Sequence, residues 1–385
     1  MSDRLLLILS REWLAVAVGA VLACAGLSLF ARHSSAFALG ILVALLGFLL
    51  IVGGCIHLLR LGRARLRHPP PGTLVKLGKA RVHVYAEGQE DGTYPVVWFG
   101  GAHSAGLTMD HLHRALRGKT RSILVDRLGT GWSDTGSFPR RTEQEADEIP
   151  NALREAGEAG PFVLVGYSFG GLLAANIARR HPELVAVLIL LDATPLETIV
   201  FGPRLEALRA MRRDALLSGL LRLVGIPADL SRKRSQAAGH SAATERFERA
   251  LGPALDTLRA VEVSAGSQFA NYSSYQDLAG PTIADRGWET MVYDGDLGDM
   301  PVWLVAPGNA SEVIAEKEVA GAGKEQERMV RFFARSRERY LAISSNARRI
   351  MTPFGTTHQF VYETPEFVIG VVEEAIRHGQ NNREK

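Results

Sequence analysis

Two long apolar segments at the start of the chain constrain its fold more than any other feature. Residues 13–31 (WLAVAVGAVLACAGLSLFA) and 36–59 (AFALGILVALLGFLLIVGGCIHLL) contain no Asp, Glu, Lys or Arg. Each segment is long enough to cross about 30 Å of hydrocarbon as a helix. The short link RHSS between them forces the two helices to run antiparallel. The sequence therefore predicts that residues 1–68 form a transmembrane helical hairpin.

A cleaved signal peptide is the alternative interpretation, since Arg4 and Arg11 precede the first apolar segment. A second, longer apolar segment directly after the first favours the hairpin. The arginines also predict its orientation, because four of them follow the second segment while the link has only Arg32. We therefore expect a multi-pass protein of the inner cell membrane, with residues 69–385 facing the cytoplasm.

The remaining composition excludes several classes of protein. The net charge of +3 comes from the arginine-rich N-terminal segment, and the rest of the chain is close to neutral, so a nucleic-acid partner is not expected. Cys24 and Cys55, the two cysteines, both lie in the apolar segments. This leaves neither a disulfide framework nor a cysteine nucleophile in the soluble part. Without paired Cys/His or His-Glu-x-x-His patterns, neither a metal nor a cofactor is expected.

From residue 73 onward, apolar runs rich in Val, Ile and Leu alternate with helical patterns. Apolar runs without polar alternation are typical of strands buried on both faces of a parallel sheet. Their alternation with helices predicts an open α/β sheet, whose functional sites lie at the carboxyl ends of the strands. Two antiparallel strands are expected in LVKLG and ARVHVYAEG, followed by mostly parallel strands in YPVVWFGG, TRSILVDR, PFVLVGYS, VAVLILLDA, MPVWLVAP and RRIMTPF.

The helices between these strands are predicted at 107–117, 142–157, 171–180, 314–344 and 365–378. Pro150 is expected to kink or end the second helix early, because proline removes a backbone donor and clashes with the preceding turn. Residues 196–295 interrupt the alternation and are mainly helical in composition, which predicts an insertion that covers the strand ends as a lid. Residues 69–385 are thus expected to form one domain that contains this lid.

The stretch VLVGYSFGG places Ser168 between Gly166 and Gly170, directly after a predicted strand and before a predicted helix. A serine nucleophile needs a sharp strand-to-helix turn, and small residues two positions to either side let that turn close. The helix N-terminus then directs its dipole and the Phe169 N–H at a developing oxyanion. A serine that merely caps a helix is the alternative interpretation. The context favours a nucleophile.

Besides VLVGYSFGG, four segments resemble the α/β-hydrolase superfamily in their order along the chain and in their spacing. These are VVWFGGAHSAG, VDRLGTGWSD, ILLDATP and GTTHQFVYETPEFV, and the resemblance covers most of 73–195 and 300–378. Gly100 stands where the family often has a histidine before the glycine of its oxyanion loop. The resemblance implies an α/β-hydrolase fold of the serine type, with a mostly parallel sheet flanked by helices, a helical lid insertion and, here, a preceding transmembrane hairpin.

A base and an oxyanion hole are expected beside Ser168. His358 follows the last strand and could take the serine proton and return it to the leaving group. Phe169 would supply one oxyanion donor from its backbone N–H. The second is expected in the loop GGAHSAG, from Ala102 first and His103 second.

The acid that should orient His358 is less obvious. In much of the family it follows the strand that here reads PVWLVAP, but no aspartate stands there, and Glu312 is the nearest carboxylate. The alternative lies after the preceding strand, where LLDATP resembles the L-D-P-A-x-P context of the pancreatic-type lipases and supplies Asp192. Asp192 lies at the carboxyl end of a strand, as a triad requires, so it is preferred to Glu312.

These residues predict a membrane-tethered serine hydrolase that acts on an ester, thioester or similar acyl compound through an acyl-enzyme intermediate. The tether makes a small-molecule or lipid-like acyl substrate the favoured partner. An acyltransferase with the same triad is one alternative, because its first half-reaction is identical. A catalytically silent module that binds or signals is another, and the missing aspartate after PVWLVAP is its support.

Overall fold

An eight-stranded sheet runs through the centre of the protein. The structure, a computed structural model, describes residues 1–31, 37–89, 92–195, 206–230, 233, 242–279, 292–307 and 337–383. The strands are β1 Thr73–Leu77, β2 Ala80–Glu87, β3 Val96–Phe99, β4 Ser122–Asp126, β5 Phe162–Tyr167, β6 Val185–Leu191, β7 Val302–Ala306 and β8 Ala347–Met351. Their spatial order is β1-β2-β4-β3-β5-β6-β7-β8. β1, β2 and β4 pair antiparallel, and all other neighbours pair parallel.

The predicted α/β sheet is confirmed, and the burial of its strands explains their composition. All residues of β3, β4 and β5 are buried, so neither face could carry polar side chains. One face packs against a cluster that includes Ile149, Leu172 and Tyr340. The other packs against a cluster that includes Leu112, Phe360 and Val372. Because the sheet is covered on both sides, the rims at its strand ends remain for a site.

Helices α4, α5, α6, α11 and α12 cover these two faces. All helices of the described residues, numbered from the N-terminus, are α1 Asp3–Leu9, α2 Leu14–Ala31, α3 Phe37–Arg67, α4 Asp110–Leu116, α5 Thr142–Glu155, α6 Phe169–Arg180, α7 Glu206–Leu223, α8 Ala242–Leu251, α9 Ala254–Val261, α10 Ala265–Ala279, α11 Phe360–Glu363 and α12 Pro365–Arg383. The helix predicted at 314–344 lies largely outside the described residues, which resume at Arg337 and include a short 3₁₀ turn at Arg339–Leu341.

Pro150 was expected to kink its helix or to end it early, and the expectation of an early end is wrong. Helix α5 continues through Pro150 to Glu155. Pro150 is buried together with Ile149 and Leu153 on the face that packs against the sheet. We attribute the continuous helix to this apolar packing, which offsets the hydrogen bond that proline removes.

Helices α7 to α10 lie between β6 and β7 in the chain. Helices α7 and α10 pack together, and Phe269 of α10 touches Gly219 of α7 so closely that a Cβ on the glycine would lie 2.8 Å from the ring. Leu251 and Leu258 pack against Ala105 and Leu107 of the loop after β3. The helices of this insertion thus cover the carboxyl ends of the strands, and we call them the cap.

The two apolar N-terminal segments form the long helices α2 and α3, which are apolar enough to cross a membrane. They pack along glycines spaced seven residues apart. A Cβ on Gly19 would lie 2.6 Å from the Gly47 carbonyl oxygen, and a Cβ on Gly26 would lie 2.6 Å from the Gly40 oxygen. Small residues at such a seam let two helix backbones approach closely. Helix α3 continues beyond the predicted span to Arg67.

Candidate active site

Ser168 occupies the sharp turn between β5 and α6. Its backbone lies at φ 54°, ψ −120°, a conformation that side chains rarely adopt. Its N–H donates to the Leu191 carbonyl at the end of β6, and its carbonyl accepts from Gly171 and Thr194. These three backbone bonds hold the turn in its unusual conformation. The serine side chain is thereby presented at the rim of the sheet.

The glycines around Ser168 are required by close backbone contacts. A Cβ on Gly166 would lie 2.4 Å from the Gly170 carbonyl oxygen. A Cβ on Gly170 would lie 2.4 Å from the Phe99 oxygen and 2.6 Å from the Gly100 oxygen. Real Cβ atoms do not approach other atoms so closely, so both positions admit only glycine without a backbone shift. The motif therefore serves a physical need of this turn.

Asp192 and His358 form a short hydrogen bond. His358 Nδ1 lies 2.6 Å from Asp192 Oδ2. The carboxylate is 1% exposed and the imidazole is 41% exposed, so a buried acceptor holds a ring that reaches solvent. The imidazole also stacks on the ring of Tyr167, with 5.0 Å between the centroids. Asp192 is thus the carboxylate that contacts His358, while Glu312 lies outside the described residues.

Arg337 is a second partner of Asp192 that the sequence pattern did not indicate. Its Nε lies 3.0 Å from Asp192 Oδ1, the oxygen that His358 does not contact. Asp192 is thus contacted on both carboxylate oxygens, by His358 and by Arg337. Since Arg337 and Asp192 are 145 positions apart in the chain, no local motif could have found this contact.

The loop after β3 approaches the Ser168 turn. A Cβ on Gly101 would lie 3.1 Å from the Ser168 Cβ, so glycine permits this approach. Ala102 follows with φ 46°, in the left-handed region. The Ser104 hydroxyl donates to the Gly101 carbonyl, and the Thr108 hydroxyl donates to the Ala105 carbonyl at 2.8 Å. Serine and threonine hydroxyls therefore fix a loop that lacks the family's histidine at position 100.

A buried arginine joins the two residues that were predicted to carry oxyanion donors. Arg127 donates to the Ala102 carbonyl and lies 4.9 Å above the ring of Phe169. Glu145 compensates its charge from 3.4 Å. Arg127 belongs to the predicted DRLGTG segment, but nothing in that segment indicates that it contacts both residues. It thus contacts the backbone of Ala102 and the side chain of Phe169, on either side of the site.

Asp126, the other charged residue of this segment, ties the surrounding loops together. It accepts from the Gly106 N–H at 2.7 Å and from the Trp132 N–H at 3.0 Å, and it contacts His83 Nδ1 at 2.9 Å. These partners belong to β2 and to the loops after β3 and β4. Asp126 therefore holds these loops and β2 in place beside the site.

Ser168 and His358 line the same cavity, of about 580 Å³, between the sheet and the cap. Within the described residues, the serine hydroxyl makes no hydrogen bond to His358. Catalytic hydrogen bonds are often long in structures without substrate. On the cap side the cavity is lined in part by charged side chains, those of Asp229, Glu248, Arg259 and Glu262. The rest of this lining, which we call the apolar wall, is formed by Met211, Phe247, Leu255, Leu258 and, from α11, Tyr362. We call this space the active-site cavity.

Two further titratable groups near the cavity have perturbed pKa values. Burial, reinforced by the charge of Asp229, raises the pKa of Glu262 to about 7. Burial also lowers the pKa of His103 well below its usual value, with Arg127 contributing. His103 is thus neutral, and the structure gives no sign that its side chain takes part in chemistry. The predicted second choice for an oxyanion donor, its backbone N–H, stays a prediction.

The fold and this arrangement of residues define a class of protein. The family model of the α/β-hydrolase fold matches residues 98–296, about half of the chain. The chain therefore belongs to the α/β-hydrolase fold family. A solved structure of an esterase from Thermogutta terrifontis aligns with a TM-score of 0.52 and 18% identity, covering 80% of this chain and 97% of that one. At this identity the likeness shows the fold alone.

Curated relatives share shorter segments. The chain is 27% identical over 225 residues to 2-(acetamidomethylene)succinate hydrolase of Mesorhizobium japonicum, covering 55% of this chain and 76% of that protein. Over 83 residues it is 37% identical to 1-acylglycerol-3-phosphate O-acyltransferase of Arabidopsis thaliana, covering 20% of each. The chain thus spans about three quarters of the first relative and only a fifth of the second.

Proposed function

We propose that this chain is a membrane-tethered serine hydrolase that cleaves an ester, thioester or similar acyl bond through an acyl-enzyme intermediate on Ser168. The observation that carries the proposal is the bond between Asp192 and His358 beside a serine on a strained strand-to-helix turn. A nucleophile, a base and an orienting acid in this order are what acyl transfer by serine requires.

In the proposed reaction, His358 Nε2 takes the Ser168 proton as Oγ attacks the carbonyl carbon. Asp192 holds Nδ1 protonated and stabilises the imidazolium that forms. The backbone N–H groups of Phe169 and Ala102 receive the negative charge on the carbonyl oxygen. His358 then protonates the leaving group. Water, activated by the same imidazole, releases the acyl group and restores the serine.

The apolar wall of the active-site cavity supports an acyl group as the part of the substrate that is buried. Aliphatic and aromatic side chains from the cap, including Met211, Phe247 and Leu258, line the space opposite Ser168. Burying a methylene group against such a wall contributes about 0.8 kcal/mol. A lipid-like acyl chain is therefore the favoured substrate, and a short acyl chain would bind more weakly.

The membrane tether is supported by the exposure of the two N-terminal helices. Only 17% and 22% of their most apolar stretches are buried within the protein. Large apolar side chains such as Val21, Leu42 and Leu49 face outward. Exposed apolar surface costs about 25 cal/mol per Å² in water, and a bilayer would remove that cost. The arginines after the second span favour a cytoplasmic position for the hydrolase domain at the inner membrane.

An acyltransferase is the second candidate, because a segment of the chain is similar to the Arabidopsis acyltransferase. Both activities begin with the same acyl-enzyme, and they differ only in whether water or another hydroxyl accepts the acyl group. The two activities can be distinguished by measuring the products formed from an acyl ester in the presence of added lysophospholipid. A transferase would form acylated lysophospholipid, whereas a hydrolase would release the free acid at an unchanged rate.

The first experiment is labelling of the detergent-solubilised full chain with a fluorophosphonate. In this reaction Ser168 Oγ forms a bond to phosphorus, fluoride leaves, and the serine proton passes through His358 to solvent. We expect labelling of the wild type, none of Ser168→Ala, and normal labelling of the control Ser345→Ala, whose hydroxyl bonds a surface loop. A folded wild type that does not label would refute the proposal and favour the silent binding module.

A further inference from the structure

The cap contacts helix α3 within the part of the helix that is proposed to span the membrane. A Cβ on Gly53 would lie 2.3 Å from the Val224 carbonyl oxygen, and a Cβ on Gly225 would lie 2.4 Å from the Gly53 oxygen. Gly53 stands seven residues before Arg60, the first arginine after the span, which corresponds to about 10 Å along the helix. The turn after α7 therefore lies on the membrane side of Arg60, the first of the four arginines that follow the span.

A buried network fixes the cap in this position. Glu12, between α1 and α2, accepts from the backbone N–H groups of Ala265 and Gly266 at the start of α10, and from the Ser264 hydroxyl. It also contacts His57 Nε2 of α3 at 2.5 Å. One carboxylate thus joins the cap to both ends of the hairpin. The negative charge of Glu12 also interacts favourably with the dipole at the N-terminus of α10.

The cap exposes apolar side chains beside this junction. Ile226 follows Gly225 directly and is 49% exposed, and Leu217 and Leu220 of α7 are also exposed. Helix α1 is similar, since Leu6 packs against the cap while its neighbours Leu5 and Ile8 are exposed. Apolar groups that continue a surface already in contact with a membrane helix are suited to the lipid interface.

A second cavity lies between this region and the active-site cavity. It has a volume of about 130 Å³, and its walls include His57 and Arg60 of α3 and Ile226 of the cap. We call it the hairpin cavity. Asp229, Arg259 and Glu262 line both cavities, so these three side chains form a shared layer between the two spaces. The two cavities are therefore adjacent at this layer.

We propose that the hairpin cavity is the entrance through which a membrane-partitioned, long-chain acyl amphiphile passes from the lipid leaflet to Ser168. The inference rests on the proposed function and names its substrate class. The chain would enter beside Ile226, pass the layer formed by Asp229, Arg259 and Glu262, and reach the apolar wall of the active-site cavity. The polar part of the amphiphile would stay at the level of Arg60.

The layer between the cavities contains a side chain whose ion pair can open. Arg259 contacts Glu248 at 2.5 Å, and both side chains are partly exposed to solvent. An exposed ion pair of this kind contributes little to stability, about 0–1 kcal/mol in general. Its separation is therefore compatible with passage of a chain during each turnover.

The test compares two fluorophosphonates on the full chain in phosphatidylcholine vesicles. One has a short alkyl group and is dissolved in water, and the other has a long alkyl group and is mixed into the bilayer. Ile226→Asp places a charge at the proposed entrance without altering a buried position. We expect it to slow labelling by the long-chain probe about tenfold, because the substitution removes an apolar contact and adds a hydrated charge at the point where the chain would leave the lipid. Labelling by the short probe should change less than about twofold.

Two controls make the outcomes distinct. Met351→Asp puts the same charge on an exposed apolar residue of β8, away from the hairpin, and should leave both rates unchanged. Ile226→Trp narrows the entrance without a charge and should slow only the long-chain probe. If Ile226→Asp slows both probes equally, or neither, the entrance is refuted while the hydrolase remains. If the folded wild type reacts with neither probe, the proposed function and the entrance are both refuted.

Discussion

Replacing Asp192 by asparagine tests the proposed triad most directly. The carboxylate is almost fully buried and lies 2.6 Å from His358 Nδ1, so its charge acts on the imidazole without screening by water. Asparagine keeps the shape but can donate its amide hydrogen to Nδ1. That contact would leave the ring proton on Nε2, where His358 could no longer accept the proton of Ser168.

The expected magnitude follows from this change of tautomer and from the lost charge. When the triad aspartate of a serine protease is replaced by asparagine, the rate falls about 10⁴-fold. Arg337 also contacts the Asp192 carboxylate, so part of the negative charge is already compensated and acts less strongly on His358. We therefore expect a loss of about 10³- to 10⁴-fold here. This equals about 4–5.5 kcal/mol of activation free energy, at about 1.36 kcal/mol for each tenfold.

The measurement is the pseudo-first-order rate of fluorophosphonate labelling, with circular dichroism to verify folding. Asp296→Asn is the matched control, because Asp296 pairs with Arg179 at the surface and should label at the wild-type rate. A folded Asp192→Asn that keeps more than a tenth of the wild-type rate would show that Asp192 is not the acid. If Glu312→Gln then labels slowly, the acid follows β7 instead.

Three further substitutions test the framework around the site. Gly170→Ala should lower the labelling rate and also the melting temperature, because the added Cβ overlaps two backbone oxygens. The expected loss of folding free energy is about 1–3 kcal/mol. Gly47→Val should separate α2 from α3 at Gly19 and lower the melting temperature in detergent by a similar amount. The pKa of Glu12 is lowered overall. Burial alone would raise it, but the hydrogen bonds from His57, Ser264 and Gly266 have the larger effect. Glu12→Gln should therefore destabilise the cap by about 2 kcal/mol near neutral pH, measured by proteolysis, and this difference should disappear as the pH falls through the lowered pKa.

The sheet could be predicted from the sequence because its signal is local. Strands buried on both faces must be apolar throughout, and β3, β5 and β6 are therefore visible as uninterrupted runs. The turn at Ser168 was equally visible, since each glycine is required by a backbone contact within a few residues or at a neighbouring strand end. Pro150 misled the prediction because packing of the finished fold outweighs a local preference.

The contacts that complete the site could not be predicted, because they join distant parts of the chain. Arg127 reaches the Ala102 carbonyl across 25 residues, and Arg337 reaches Asp192 across 145. Arg127 lies in the segment VDRLGTGWSD, but nothing in that segment shows which carbonyl it contacts. The attachment of the cap to the hairpin has the same origin, since Glu12 meets Gly266 only after both segments have folded.

The position of the acid was ambiguous in the sequence for a geometric reason. Strands β6 and β7 are neighbours, and Leu191 pairs with Val305 at their carboxyl ends. The Asp192 N–H donates to the Val305 carbonyl at 2.8 Å, so the residue that follows β6 begins beside the end of β7. A carboxylate from either strand can therefore reach the same imidazole.

The choice between these strands has a consequence for the backbone of Asp192. Its φ of 44° lies in the left-handed region, which costs about 1–2 kcal/mol for most side chains and less for aspartate. The carbonyl of Val305 and the contact with His358 hold it there. If Asp192 is the acid, as we propose, this position must combine the left-handed conformation with a carboxylate in one residue. Aspartate, which tolerates the left-handed region and supplies the charge, meets both demands.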